Sequence, residues 1–211
     1  MRIALIHALA ESAAPIARAF AELWPEAVLA NLLDDSLSRD LAAEGAITPA
    51  MVSRFIALSR YAAGCGAHGI LFTCSAFGPA IEAARAAVSP LPVLKPTEAM
   101  IEDAARFRRV GLIASFPPTL ESLPAEFPPG VSVRPRLAEG ALAALQAGDP
   151  ARHDEAAVAA ARHLAAEGVE AIVLAQFSLA RAAAPVAEAT GLPVLTTPGS
   201  AVGKLRALLG A

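Results

Sequence analysis

The sequence predicts an α/β protein made of two pseudo-symmetric lobes, each a mostly parallel, four-stranded sheet flanked by helices. Short apolar segments alternate with longer segments of helical periodicity, which is typical of a parallel sheet covered by helices. The second half of the chain also repeats the first. Arg109–Phe116 echoes Arg2–Leu9, and Leu192–Leu195 echoes Leu91–Leu94. Echoes in the same order along the chain indicate an internal repeat.

A third echo identifies the strand on which the functional prediction rests. The apolar run Ile70–Phe72 leads to Cys74, and the run Ala171–Ala175 leads to Gln176. Residues 70–72 are too few for a helix and suit a buried strand. A helix-like segment follows Cys74, so the pattern is strand, turn, helix. Cys74 is therefore expected at the carboxyl end of a parallel strand, where open α/β sheets bind ligands.

Local signals support the other elements in turn. Ser12 is placed to cap a first helix, and Thr48 followed by Pro49 is a strong helix start, because a hydroxyl accepts free N–H groups and proline suits the first position. Thr97 can cap a further helix over residues 98–107. Strands of the first half are expected at residues 2–9, 27–32, 70–72 and 91–94.

The repeat sets the expected domain boundaries. Residues 1–96 form the first lobe and residues 97–198 the second, and a final helix over 199–211 is expected to pack back on the first lobe. Strand ends from two related lobes would meet in an inter-lobe cleft, where we expect the site, because ligand pockets favour such interfaces. The proline-rich segment 116–130 is predicted to be a surface loop with one turn of helix that could close over a ligand.

Composition excludes several function classes. The 211 residues have a net charge of −3 and no basic cluster, so no nucleic-acid partner is expected. No apolar stretch is long enough to cross a bilayer, and the start lacks a signal-peptide pattern. The two cysteines, Cys65 and Cys74, form neither a disulfide framework nor a zinc set. We expect a cytoplasmic protein with no membrane role and no metal site.

Cys74 is the leading catalytic candidate. It stands between Thr73 and Ser75, just before a predicted helix whose first N–H groups and dipole favour an anion. This position is expected to lower the pKa of a thiol and make it reactive. The alternative is a buried cysteine that packs as a small hydrophobic residue, and Cys65 is interpreted in that way.

Other polar residues near predicted strand ends complete the candidate site. His7 is the best available second acid or base, because the ordinary pKa of histidine lies near neutrality, although a packed histidine is the commoner case. The hydroxyl and amide side chains could bind a substrate carboxylate, or they could only cap helices and hold loops in place. The lysine could attract an anionic substrate, or it could be an ordinary surface residue in solvent. These candidates are Thr73, Ser75, Lys95, Ser115, Gln176, Ser178 and Thr196.

Two further expectations concern the histidines. His7 and Ser115 are matched as equivalent strand ends of the two lobes. His153 and His163 fall in a charged helical segment and are interpreted as surface residues.

With two repeated α/β halves and a strand-end cysteine, the chain resembles the aspartate/glutamate racemase superfamily. That group includes glutamate, aspartate and hydantoin racemases, maleate isomerase and arylmalonate decarboxylase. The resemblance covers essentially the whole chain and rests most on Phe72–Ser75, on Ile172–Gln176 and on the two Leu-Pro-Val-Leu echoes. It implies proton transfer, without a cofactor, at the carbon next to a carboxylate, and it suggests that Ser115 binds a carboxylate.

The sequence differs from the typical members of this family in one catalytic position. Typical members use two cysteines, one in each lobe. Cys74 matches the first, but Gln176 stands at the second position, and an amide does not exchange a proton at neutral pH. The related decarboxylase works with one cysteine, in its second lobe, so this chain has the mirror arrangement.

Three functions remain open. The first is a racemase- or isomerase-like enzyme of amino acid metabolism in which Cys74 is the single thiol acid/base. The second is a one-cysteine decarboxylase of a malonate-type substrate, and the third is a non-catalytic protein that binds small acids. In each case the partner is a small carboxylate-bearing molecule, and the resemblance also implies a homo-oligomer.

Overall fold

The computed structural model describes the backbone of residues 1–211 and every side chain except that of Pro118. The chain divides into two compact units: unit 1 comprises residues 1–98 and 201–211, and unit 2 comprises residues 99–200. Each unit contains one four-stranded sheet in which all neighbouring strands are parallel. The α/β class and the parallel sheet predicted for each half are therefore confirmed.

Unit 1 has the strand order β2-β1-β3-β4. Its central strands are buried along their length apart from Arg2, as expected for a parallel sheet covered on both faces. The strands are β1 (Arg2–His7), β2 (Val28–Leu33), β3 (Gly69–Phe72) and β4 (Val93–Leu94). The helices are α1 (Ala13–Leu23), α2 (Ser36–Glu44), α3 (Pro49–Gly64) and α4 (Gly78–Ala87), with 3-10 turns at Ala10–Ser12 and Ser75–Phe77.

Unit 2 repeats this topology with the order β6-β5-β7-β8. Its strands are β5 (Arg109–Ala114), β6 (Ser132–Leu137), β7 (Ala171–Leu174) and β8 (Val194–Thr196). Its helices, two of which cross the unit boundary, are α5 (Glu98–Ala104), α6 (Pro117–Ser122), α7 (Ala141–Gln146), α8 (Pro150–Ala166), α9 (Ala183–Thr190) and α10 (Thr197–Leu208), with 3-10 turns at Leu123–Glu126 and Phe177–Ala182. No helix in the described part of the chain combines the length and apolar character needed to cross a membrane.

The segment 116–130 is more regular than the predicted surface loop. It contains α6 and a 3-10 turn, because Pro117 occupies a first-turn position where a missing N–H costs nothing and the fixed φ suits a helix. The next strand, β6, was not predicted. It carries Arg134, Pro135 and Arg136 in place of an apolar run, which an edge strand tolerates because one side of its backbone is unpaired.

Three aromatic rings support the segment that carries Cys74. Phe55 on α3 stacks on Phe72 with ring centroids 5.1 Å apart and contacts Phe77 at 4.9 Å, and all three rings are buried. Phe72 ends β3 and Phe77 ends the following 3-10 turn. One ring on α3 therefore packs against both ends of the short segment between them. Thr48 caps α3 through the N–H of Met51, as predicted.

The end of α10 packs on β3 within unit 1. A Cβ atom at Gly69 would lie 3.0 Å from Cδ1 of Leu205, so glycine permits a close approach that a larger residue would disturb. Arg206 donates a hydrogen bond of 2.8 Å to the carbonyl oxygen of Leu23. These contacts hold residues 201–211 to the first segment of the chain.

The aromatic cluster predicts a stability difference along α3. Phe55→Ala removes a buried ring, so we expect urea denaturation to show a loss of about 3–5 kcal/mol in the free energy of unfolding. Tyr61→Ala, on the same helix but 61% exposed, is the matched control and should change it by less than about 0.5 kcal/mol. Equal losses in the two variants would contradict the supporting role of Phe55.

Candidate active site

Cys74 lies two residues after the last residue of β3 and directly before the 3-10 turn Ser75–Phe77. Its thiol is free and half-buried, and it packs against the core of unit 1. The backbone N–H of Ala76 donates a hydrogen bond to the sulfur. The strand-end position inferred from the sequence is what the structure shows.

Burial raises the pKa of the Cys74 thiol above its ordinary value, because the thiolate loses hydration. The hydrogen bond from Ala76 acts in the opposite direction without reversing the shift. The predicted lowering of this pKa is therefore wrong. Helix α4 begins only at Gly78, and the influence of a helix dipole is confined to its first turn. At neutral pH the thiol is protonated and can donate a proton.

A buried polar cluster joins the carboxyl ends of β1 and β3. Thr73 Oγ1 lies 2.8 Å from His7 Nδ1 and 2.8 Å from Ser12 Oγ, and Ser12 Oγ lies 3.1 Å from the same ring nitrogen. The Ser12 hydroxyl donates to the carbonyl oxygen of Leu9 at 2.7 Å. The other ring nitrogen, His7 Nε2, lies 3.0 Å from Asn31 Oδ1. Each polar side chain that the strand ends bury here has a partner, as buried polar groups require.

The cluster keeps His7 neutral and fully engaged. Burial lowers the pKa of the imidazole, and the hydrogen bond to Asn31 opposes the shift only in part. In the neutral tautomer that fits these distances, Nε2–H donates to Asn31 and Nδ1 accepts from the Thr73 hydroxyl. His7 is 1% exposed. The structure therefore does not support His7 as the second catalytic acid or base, because neither ring nitrogen is available to a substrate.

The equivalent level of unit 2 lacks such a cluster. In unit 1 the first residues after the paired part of the central strands are His7 and Thr73. In unit 2 the same register places Ala114 and Ala175 there. Methyl groups replace the imidazole and the hydroxyl, so the central strand ends of unit 2 carry no titratable side chain at this level.

The next level of the central strands corrects a predicted equivalence. It holds Ala8 and Cys74 in unit 1, and Ser115 and Gln176 in unit 2. Ser115 is therefore the counterpart of Ala8. The sequence analysis matched Ser115 with His7, and the register shows that this equivalence is wrong. The equivalence of Gln176 with Cys74 agrees with the register.

Gln176 and Ser115 bind each other across the ends of β7 and β5. The side-chain oxygen Gln176 Oε1 accepts hydrogen bonds from the backbone N–H of Ser115 at 2.5 Å and from its hydroxyl at 2.9 Å. Ser115 is buried and Gln176 is half-buried. Of the two roles open for Gln176, the geometry shows the one in which the amide ties two strand ends together.

The remaining hydroxyl candidates have different environments. Ser75 is exposed and Ser178 is half-buried, and within the described residues neither side chain has a hydrogen-bond partner. Thr196 Oγ1 accepts the backbone N–H of Gly199 at 3.2 Å, so it caps the start of α10. Ser75 and Ser178 are thus the hydroxyls left free for a ligand.

The environments of Lys95 and His153 differ from expectation. Lys95 Nζ lies 2.9 Å from a carboxylate oxygen of Glu82, so its charge is already paired within unit 1. His153, interpreted as a surface residue, is fully buried, and its Nδ1 lies 2.8 Å from Asp154 Oδ1. Among the side chains that the structure describes, no group of three or more His, Cys, Asp or Glu residues could hold a metal ion.

Sequence reasoning missed two partners of His7, the buried Ser12 and the exposed Asn31. Ser12 has the signature of a helix cap, but its side chain makes no capping bond and instead contacts Thr73 and His7. Asn31 lies in β2 among apolar residues. An amide in an otherwise apolar strand was the only signal that could have identified it, because its partner is 24 residues away in sequence.

The neutral, buried His7 predicts a pH dependence of stability. Its pKa is lower in the folded chain than the ordinary value of 6.5, so below that value the unfolded state binds more protons. We expect urea denaturation to give a lower free energy of unfolding at about pH 5.5 than at about pH 7.5. His7→Gln cannot titrate and should lose part of this difference. An unchanged pH dependence in His7→Gln would refute the assignment.

Comparison with known proteins places these units in a family. Residues 16–205 match the model of the Asp/Glu/hydantoin racemase family. A search of curated protein sequences finds no match. Among solved structures, an aspartate racemase homologue from Pyrococcus horikoshii OT3 is 16% identical with a TM-score of 0.74, and the match covers 100% of this chain and 99% of that chain.

Two further structures have the same fold. Allantoin racemase from Klebsiella pneumoniae is 22% identical with a TM-score of 0.73, over 100% of this chain and 88% of that chain. A liganded double mutant of arylmalonate decarboxylase, with one glycine changed to cysteine and one cysteine to serine, is 22% identical with a TM-score of 0.70, over 100% and 93%. Because the family model spans most of the sequence, this chain belongs to the Asp/Glu/hydantoin racemase family and is a racemase-like or related enzyme.

Proposed function

We propose that this enzyme transfers a proton, without a cofactor, at the carbon next to a carboxylate of a small acid, with Cys74 as the single thiol acid/base. One observation carries the proposal: a free, half-buried thiol stands at the carboxyl end of a central parallel strand in a racemase-family fold. Parallel α/β sheets bind their ligands at that edge.

The raised pKa of Cys74 determines the direction in which the thiol acts. A racemase or isomerase step begins when a thiolate removes a proton from carbon. A decarboxylase needs no base, because carbon dioxide leaves and the electrons of the broken C–C bond remain on the α-carbon as an enediolate. The protonated thiol then gives its proton to that carbon and is reprotonated by water. A thiol that is protonated at neutral pH suits this second sequence.

Unit 2 supports a one-thiol reaction. The central strand ends there present Ala114, Ser115, Ala175 and Gln176, none of which titrates near neutral pH. The hydroxyl proton of Ser115 is directed at Gln176, so this pair is engaged internally. A one-cysteine decarboxylase of a malonate-type substrate is therefore the alternative that the geometry favours over racemisation.

Each unit offers one free hydroxyl as a candidate substrate contact. Ser75 opens the 3-10 turn after Cys74, and Ser178 lies in the 3-10 turn after Gln176. Hydroxyl and N–H groups at such turns can accept the charge that develops on an enediolate oxygen. Thr73 is assigned to positioning, since its hydroxyl is engaged with His7 and Ser12.

The pH dependence of thiol alkylation tests the protonation state of Cys74. Because burial raises its pKa, the alkylation rate by iodoacetamide should rise with a midpoint above about pH 8.5, the value of an ordinary thiol. Peptide mass spectrometry measures the alkylation of Cys74 and of the exposed Cys65 separately. Cys65 serves as an internal control for the activity of the reagent in the same sample. A midpoint below that of free cysteine would contradict the assigned proton donor.

Turnover in deuterated water tests the reaction. With substituted malonates, we expect release of carbon dioxide and one deuterium at the α-carbon of the product. Cys74→Ala should lose about 10²–10⁴-fold in rate, whereas Cys65→Ala is the matched control and should retain the wild-type rate. Deuterium exchange without carbon dioxide would instead identify a racemase or isomerase.

Two outcomes would reject the catalytic proposal. Full turnover in Cys74→Ala would remove the thiol from the mechanism. Saturable binding of small acids with no turnover on a broad panel would identify the non-catalytic binding protein that the sequence left open.

A further inference from the structure

A cavity in unit 1 lies away from the candidate active site. Its volume is about 240 Å³, and β1, β2 and the end of α3 line it. Arg2, at the amino end of β1, is part of this lining. β1 and β3 are parallel, and Ile3 is level with Gly69. Arg2 therefore lies at the amino ends of the strands, whereas Cys74 lies at their carboxyl ends. The cavity is therefore separate from the strand ends assigned to catalysis.

Small side chains create the hollow. Ala4 and Ala30 line it from the sheet, and Ala62 and Ala67 line it from α3 and the segment that follows. Methyl groups leave open a space that larger residues would fill, and they make that part of the surface apolar. Tyr61, at the cavity, is 61% exposed and adds an aromatic ring. A compact apolar group would bury the alanine methyls and contact this ring.

Arg2 gives the cavity its charge. No other lining side chain is charged, and within the described part of the chain no carboxylate pairs with the guanidinium. One of its N–H groups donates to the carbonyl oxygen of Cys65, which fixes the guanidinium beside the hollow. Further N–H donors remain, and a carboxylate can accept two parallel N–H bonds from one guanidinium.

We propose that this cavity is a second small-molecule site, which takes a ligand with a compact apolar body and one carboxylate. The alanine lining accounts for the apolar body, and the unpaired guanidinium accounts for the carboxylate. The site does not depend on the proposed reaction, because neither Cys74 nor Ser75 lines it. Asn31, which binds His7, also lines the cavity, but it is not among the variants that test the site.

The exposed thiol of Cys65 lines the cavity and provides a local readout. The sequence has two cysteines, so in Cys74→Ala the thiol of Cys65 is the single alkylation site. Benzoate, an aromatic carboxylate, should slow the alkylation of Cys65 by iodoacetamide in a saturable manner. Inorganic phosphate at equal ionic strength has charge but no apolar body and should not protect. Benzoate bound elsewhere would leave the Cys65 rate unchanged.

Two lining variants and one control test the assigned contacts in the Cys74→Ala background. Arg2→Gln should raise the half-protecting benzoate concentration by about tenfold or more, since it removes hydrogen bonds to a charged group. Ala30→Leu fills the hollow and should abolish protection. Arg60→Gln removes an exposed arginine next to Tyr61 that does not line the cavity, and it should leave protection unchanged.

Three results would overturn the site: no protection by benzoate, equal protection by phosphate, or protection that survives both lining substitutions. If a lining variant does not fold, the comparison of benzoate with phosphate on the intact cavity decides the question. Loss of turnover in Cys74→Ala bears only on the proposed reaction, so the two proposals can fail independently.

Discussion

The hydrogen bond between Thr73 Oγ1 and His7 Nδ1 holds the segment that leads to Cys74, on which the proposed reaction depends. It joins β1 to β3 beyond the last paired backbone residues, one residue before Cys74. Both groups are buried, and Ser12 Oγ lies within hydrogen-bond distance of each of them, so the three side chains form one connected network. With Phe55 packed against Phe72 and Phe77, this bond gives the Cys74 segment one defined position.

Equivalent strand ends in the two units carry different polar side chains. Unit 1 uses a neutral imidazole and two hydroxyls, and it leaves an ionisable sulfur at the next level of the sheet. Unit 2 uses the Ser115–Gln176 pair, in which an amide oxygen accepts both bonds. The duplicated architecture thus persists, while an ionisable side chain at this level of the central strands is confined to one half. This asymmetry distinguishes the chain from the two-cysteine pattern implied by its family resemblance.

The fold was predictable because it depends on local signals that repeat. Apolar runs such as Ile70–Phe72 and helix starts such as Thr48-Pro49 identify elements from adjacent residues alone. The pKa of Cys74 and the burial of Ser12 depend on segments that meet only after folding. The strand β6 was missed for a related reason, since Arg134 and Arg136 are acceptable only because the strand lies at an edge. The position of Cys74 along its strand could therefore be predicted from the sequence, whereas the burial of the side chains around it could not.

The return of α10 to β3 has a consequence for the order in which the units mature on the ribosome. Unit 2 is one continuous stretch, residues 99–200, and has its whole sequence before the last segment of unit 1 is translated. Unit 1 needs residues 201–211 to cover Gly69 with Leu205. Nascent domains fold as units once their residues have emerged. The half that holds Cys74 is thus completed last, after the whole of unit 2 has been translated.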